Sequence, residues 1–240
     1  MTAQQTETNE MNNNKNHTAM KKNLLTTLIL LAFVLGGVAQ PDSFAPQGAE
    51  WYFNVGTFMN SPITYYRMAV EGDTLIQGHT CSIITRPFFG GNGDAQYVYE
   101  ENRKVYWYNQ TLQAFTTLYD FDAEVGDTWI CDIDSCSFEI QVQSVDEVTW
   151  EDHTYRVQHV YAIGGDEYYN SFFYTGEGTI IEGIGEINGL FPYPGACIGE
   201  IYCGNSIDYL RCYLVDGELL YHEGPYNCDQ QSYCWDGTVA

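Results

Sequence analysis

Thirty-two carboxylates against nine basic side chains are the first chemical fact of this chain. Two carboxylates at a fixed separation can hydrolyse a glycoside, and several on one turn can ligate calcium. Glu100-Glu101, Asp166-Glu167 and Glu182 with Glu186 are the pairs to inspect for the first chemistry. With so many acids such pairs arise by chance, and a solvated surface is the reading they favour. Asp120, Asp122, Glu124 and Asp127 form one acidic turn, and Asp132 and Asp134 lie in another. Neither follows the EF-hand loop, so calcium, the one cofactor suggested, rests on ligand density alone. Nucleophilic hydrolysis needs a nucleophile, a base and an orienting group. The sequence has no G-x-S-x-G elbow and no H-E-x-x-H. Its histidines from residue 79 onward, His79, His153, His159 and His222, stand isolated and read as packed or incidental. No catalytic residue is assigned.

Two other residue classes remain. Eight cysteines, Cys81, Cys131, Cys136, Cys197, Cys203, Cys212, Cys228 and Cys234, are an even set without short zinc-type spacings, and they read as disulfides. Local pairs are expected for Cys131 with Cys136 and for Cys228 with Cys234. Cys197, Cys203 and Cys212 then compete for one another and for Cys81. Aromatic runs are the other class: Tyr106, Trp107 and Tyr108, then Tyr168, Tyr169, Phe172, Phe173 and Tyr174. Flat rings beside carboxylates and amides suit a sugar. On a strand, alternate members of such a run face opposite sides. One side of each run is expected to be core. The other is the candidate glycan platform, with Trp107, Tyr106, Tyr108, Tyr169 and Phe173 as its ring-bearing candidates.

The elements that must position these residues are strands. Phe138, Ile140 and Val142 alternate with Glu139, Gln141 and Gln143, and Tyr155, Val157, His159 and Tyr161 alternate with polar neighbours. Tyrosine, abundant at 20 residues, favours strands. No segment after residue 40 sustains a helical apolar period. Turn signals recur at Glu71-Gly72-Asp73, Gln77-Gly78, Glu101-Asn102 and Asp216-Gly217. The expected fold is an all-β antiparallel meander, closed as a barrel or stacked as a sandwich, with a disulfide-stapled loop region after Gly224.

The address comes from residues 20–39. Lys21 and Lys22 precede an apolar run from Leu24 to Leu35, and Gly37 and Ala39 stand at −3 and −1 of a cleavage site before Gln40. This reads as a signal peptide, too short to span a membrane. Residues 1–19 are polar and low in complexity, and read as a start called too early or a disordered extension. Residues 40–240 are expected to form a single β-rich domain. Without residues 1–39 the chain keeps 6 basic and 30 acidic residues, a net charge of −24. Such a chain cannot build the basic patch that nucleic acid requires, and an anionic membrane repels it. The partners left are a glycan or a protein of the envelope or extracellular space.

Several segments recur together: Gly48-Ala49-Glu50-Trp51-Tyr52, Glu71 through Gly78, Tyr99 through Tyr106, Leu118-Tyr119-Asp120-Phe121, Val125-Gly126-Asp127-Thr128-Trp129, and Glu182-Gly183-Ile184-Gly185 with Gly189-Leu190. The set resembles an uncharacterised β-domain of exported bacterial proteins, often found ahead of a type IX secretion C-terminal sorting domain. The resemblance covers most of residues 48–222. It implies a fold and an exported address, and no activity. The β-sandwich sorting tail is not recognised before Ala240. The expectation is an exported, non-catalytic β-domain, periplasmic, cell-surface or extracellular, with a binding or structural role. A secreted glycoside hydrolase and an adhesive assembly component are the alternatives.

Overall fold

Strict alternation decides which side chains of this chain meet the core. The computed structural model describes residues 43–56, 64–85, 95–133, 136–164, 176–192, 206–225 and 227–229. The signal segment, Asp166, Glu167, Tyr169, Phe173, Cys197, Cys203 and Cys234 lie outside the described residues. Thirteen strands are described: β1 (Ala49–Gly56), β2 (Thr64–Ile76), β3 (His79–Thr85), β4 (Ala95–Glu101), β5 (Lys104–Asn109), β6 (Ala114–Asp120), β7 (Thr128–Ile133), β8 (Cys136–Trp150), β9 (His153–Gly164), β10 (Glu177–Ile181), β11 (Gly185–Glu186), β12 (Ser206–Val215) and β13 (Glu218–His222). All pairings are antiparallel, and no helix occurs among the described residues.

Two meanders account for the topology. An eight-stranded half-barrel sheet has the order β13-β12-β1-β2-β3-β4-β5-β6, and a five-stranded sheet runs β11-β10-β9-β8-β7. β12 returns from the second meander to lie beside β1, with Trp51 opposite Tyr213 and Tyr52 opposite Cys212. All described residues belong to one compact unit, Pro41–Ala240. Both sheets feed one core. Trp51, Phe53, Met68, Ile84, Val98 and Val105 come from the first, and Phe138, Ile140, Val160, Ala162 and Ile180 from the second. The two sheets are also joined by buried polar contacts, which remove the cost of unpaired donors. Trp51 Nε1 donates to Ile184 O at 2.9 Å and Tyr155 OH to Leu220 O at 2.6 Å. Gln158 Nε2 donates to Asp120 O at 2.9 Å and to Ala123 O at 2.8 Å.

Turn chemistry follows the sequence at most corners. Gln77-Gly78 and Asp216-Gly217 both adopt positive φ, as tight hairpins demand. The β4–β5 turn uses Asn102-Arg103 in the same way, one residue beyond the expected position. Glu71-Gly72-Asp73 is not a turn. β2 continues through it to Ile76, and the register shifts between Val70 and Gly72, so the glycine marks a bulge. Gly185 meets a packing limit: with φ at 104°, a Cβ there would lie 2.8 Å from Leu190 Cδ2 and 3.0 Å from Phe44 Cε2.

The β8–β9 hairpin corrects a second expectation. Phe138, Ile140 and Val142 are buried, as their alternation requires. On β9, Tyr155 and Val157 are buried, but so are Gln158, Val160 and Ala162, while Tyr161 is exposed. The buried side changes between Val157 and Gln158. A register shift between Val142 and Ser144 stands opposite this stretch. One end of the hairpin reaches Leu220 through Tyr155, and the other reaches Asp120 and Ala123 through Gln158.

Disulfide expectations change as well. Cys212 bonds to Cys228, with their Cα atoms 5.5 Å apart, so neither is the partner expected from spacing. The segment after β13 folds back on β12, and Arg211 Nη1 donates to Asn227 O and Cys228 O, at 3.0 and 3.2 Å. Cys81 and Cys131 are free and fully buried. Pairing of Cys131 with Cys136 is overturned by register: Cys131 stands opposite Phe138 and Cys136 opposite Ile133. Two rungs of a strand separate them by about 7 Å along its axis, beyond a disulfide's reach. Burial pushes both thiols up, that of Cys131 to about 12. Iodoacetamide applied to the native protein should therefore leave Cys81 and Cys131 unlabelled, and should label both after unfolding without reductant. Peptide mapping that finds either one labelled in the native state would contradict this placement.

Candidate functional site

β3 to β6 carry the most distinctive surface. Val98 and Val105 point into the core, so their neighbours Tyr97, Tyr99, Tyr106 and Tyr108 point away from it. Tyr99 stands opposite Tyr106, and Tyr108 opposite Phe115. His79 stacks on Tyr99 with centroids 4.1 Å apart, and Tyr99 on Tyr106 at 4.8 Å, both at 17° between planes. Adjacent strands lie about 4.8 Å apart, so these rings stand upright on the sheet, like books on a shelf. Phe115 packs edge-on against Tyr99 at 4.8 Å and reaches His79 at 5.5 Å. It also touches Tyr108 at 5.2 Å, and Tyr97 meets Tyr108 at 6.5 Å. All six rings are half-buried. Gln77 Nε2 donates to Gln113 O at 2.9 Å, tying together the two turns at this end.

The expected platform is therefore redrawn. Tyr106 and Tyr108 share the outward face. Trp107, between them, lies on the core side: its ring is 5.9 Å from Phe191 and its Nε1 donates to Gln96 Oε1 at 2.8 Å. The outward rings are not coplanar tiles. The rings of His79, Tyr99 and Tyr106 turn their faces to one another, and Phe115 and Tyr97 meet their neighbours at steep angles. His79, Tyr97, Tyr99 and Phe115 escaped the sequence reading, since only cross-strand register joins β3, β4 and β6. The spacing Tyr97-x-Tyr99 was the one available signal.

The acidic turn 120–127 is an electrostatic latch. Lys104 Nζ lies 2.5 Å from Asp120 Oδ2, Arg103 Nε 2.5 Å from Asp122 Oδ1, and Arg156 Nη2 3.1 Å from Glu124 Oε1. Asp127 instead accepts the Glu124 N–H within the turn. Three carboxylates thus turn to three different cations. No group of three or more metal-ligating side chains converges among the described residues. Asp132 accepts from the Ser137 hydroxyl across the β7–β8 hairpin.

The carboxylate pairs separate in the same manner. Glu101 is exposed on the tyrosine side of β4, whereas Glu100 points inward and accepts the Phe44 N–H at 2.5 Å. Burial raises the Glu100 carboxyl, and Arg103 nearby opposes the rise. Glu182 is held by Arg103 Nη1 at 2.7 Å. Glu186 is fully buried, and its oxygens accept N–H groups from Thr179 (3.2 Å) and Asn188 (2.8 Å backbone, 2.9 Å side chain), with Gly189 adding another. It organises the turn after β11 rather than a cleft.

Burial pushes the Glu186 carboxyl up to about 7 from an ordinary 4.5. The folded state then binds this proton more tightly than the unfolded chain. The resulting stabilisation is present below pH 4.5 and is lost as pH rises through about 7. Chemical denaturation across that window should show this loss, and Glu186→Gln should remove that part of the pH dependence. An unchanged pH profile in the variant would contradict it.

One constellation was not legible in the sequence. His159 Nε2 lies 3.4 Å from Asp146 Oδ2, and its Nδ1 3.3 Å from Thr179 Oγ1. The order carboxylate, imidazole, hydroxyl is that of a nucleophilic triad. Both contacts are longer than a firm hydrogen bond. His159 and Asp146 are well exposed, and the Thr179 N–H that could help bind an oxyanion is given to Glu186. The trio is a surface contact of carboxylate and imidazole with a hydroxyl neighbour.

Comparison of the chain with protein-family models, with curated proteins and with solved structures found no match.

Proposed function

We propose that this chain is an exported, non-catalytic binding domain acting at or outside the cell envelope, and that the tyrosine face of β3–β6 is its contact surface. The six half-buried rings of His79, Tyr97, Tyr99, Tyr106, Tyr108 and Phe115, on the side of the sheet away from the core, carry this reading. Clustered tyrosines are amphipathic, lose little entropy on binding, and are enriched where proteins meet partners. The signal-like segment and the Cys212–Cys228 bond support the address. Support for a non-catalytic role comes from Asp120, Asp122 and Glu182, which are held by cations, and from Glu186, which serves a buried turn.

The test is to incubate the purified protein with insoluble polysaccharides, with and without calcium, and to assay bound protein and released sugar. Release of sugar defeats the non-catalytic reading. Binding without release, reduced by Tyr99→Ser with Tyr106→Ser, supports a glycan ligand on this face. No binding to any polysaccharide turns the reading toward a protein partner.

A further inference from the structure

We infer that the occupant of the tyrosine face is a basic polypeptide segment carrying apolar side chains. The inference rests on the binding reading above and names the partner class for that same face. Three observations point the same way. The first is ring orientation. A sugar stacks on an exposed ring face, but here His79, Tyr99 and Tyr106 stack on one another at 4.1 and 4.8 Å between centroids, and Phe115 packs across them in T-shaped contacts at 4.8 and 5.5 Å. A ring stacked on its neighbours offers a partner its edge and phenol hydroxyl, the combination by which tyrosine-rich protein surfaces grip polypeptide backbone and side chains.

The second observation is charge. Every described basic side chain is already engaged internally: Arg67 by Glu50, Arg103 by Asp122 and Glu182, Lys104 by Asp120, Arg156 by Glu124, and Arg211 by Asn54 and the carbonyls of Asn227 and Cys228. The chain carries a net charge of −23. Among the described residues an approaching partner therefore meets carboxylates in excess over cations. Glu101 lies beside the ring cluster, close enough to Tyr99 to act on its phenol, and Glu71 is exposed on β2. Charge complementarity selects lysine and arginine on the partner, excludes an anionic surface, and disfavours a second copy of this chain.

The third observation is the apolar margin. Leu112, in the β5–β6 turn at the end of the ring cluster, is 44% exposed. Gln77 joins that turn to the β2–β3 turn. An exposed large aliphatic at the end of an aromatic cluster suits an apolar side chain of a peptide.

The experiment is a fluorescence-anisotropy titration of the purified protein with three probes. They are a labelled arginine-rich peptide containing leucine and phenylalanine, its arginine-to-glutamine counterpart, and soluble cello- and chito-oligosaccharides. The arginine peptide should bind and weaken with added salt. Tyr99→Ser with Tyr106→Ser should weaken it about tenfold or more, and Glu101→Gln should weaken it less. Where the double variant loses its native thermal transition, Tyr108→Ser and Glu101→Gln carry the same test. Tyrosine-dependent binding of oligosaccharide in place of peptide would overturn the polypeptide occupant and leave the contact face standing. Peptide binding indifferent to the tyrosines, or no binding by any probe, would overturn the inference.

Discussion

Trp51→Ala is expected to lower stability by about 4 kcal/mol and the melting temperature by roughly 10 °C, the largest loss from any single substitution considered. Trp51 is fully buried at the centre of the shared core. Its ring lies 5.2 Å from Tyr213 and 5.9 Å from Phe44. Its Nε1 reaches Ile184 O in the turn between β10 and β11. One side chain thus joins β1, β12, the N-terminal segment and the second meander. Truncation removes the transfer energy of a large aromatic, leaves a cavity between two sheets, and strands a buried carbonyl. Trp51→Phe, which keeps an aromatic ring of smaller size and loses the donor, should cost less than half as much. Equilibrium denaturation of the three proteins measures both terms. A loss below about 1 kcal/mol for the alanine variant would mean the sheets do not share this core.

Removing the Cys212–Cys228 bond is expected to cost about 3 kcal/mol, from the closure entropy of a loop of this length. The bond fastens the segment after β13 to β12 through a separation of 16 residues. That segment covers Arg211, which is fully buried in a bulge of β12. Arg211 Nε donates to Asn54 Oδ1 at 2.7 Å, and its guanidinium lies 5.6 Å from the centre of the Tyr65 ring. The Arg211 hydrogen bonds to Asn227 and Cys228 form only if the segment stays in place. In Cys212→Ser with Cys228→Ser, limited proteolysis should cut beyond His222 first while the sheets survive, because the bond holds an end rather than the core. Thermal melting and peptide mapping read both effects. An unchanged melting temperature with a protected C-terminal segment would show that the hydrogen bonds hold it unaided.

Much of the fold was legible, because period-two alternation and turn chemistry are local. Phe138, Ile140 and Val142 announced the buried face of β8, and Asp216-Gly217 announced its hairpin. The misses have physical causes. Gly72 looks like turn punctuation, yet a glycine inside a long strand can instead open a bulge. β9 changes its buried side because its two ends pack on different neighbours, which no local pattern records. The Cys212–Cys228 pair depends on where β12 docks after a long return. Of the candidate site, Tyr106 and Tyr108 were visible as a run, but Trp107 was placed with them although alternation turns it inward. His79 and Phe115 join the cluster only through register across four strands. The acidic turn was visible as a cluster, and its partners were not. Arg103, Lys104 and Arg156 come from distant positions to take its carboxylates one by one.

Co-sedimentation of the purified protein with washed cell envelopes tests the central claim most directly, run beside the folded Tyr99→Ser, Tyr106→Ser variant with soluble sugar assayed in both supernatants. The account predicts that the unaltered protein sediments, that the variant stays largely in solution, and that neither releases sugar. Equal sedimentation of the two proteins, or sugar release by the unaltered one, would contradict a non-catalytic domain that binds through its tyrosine face.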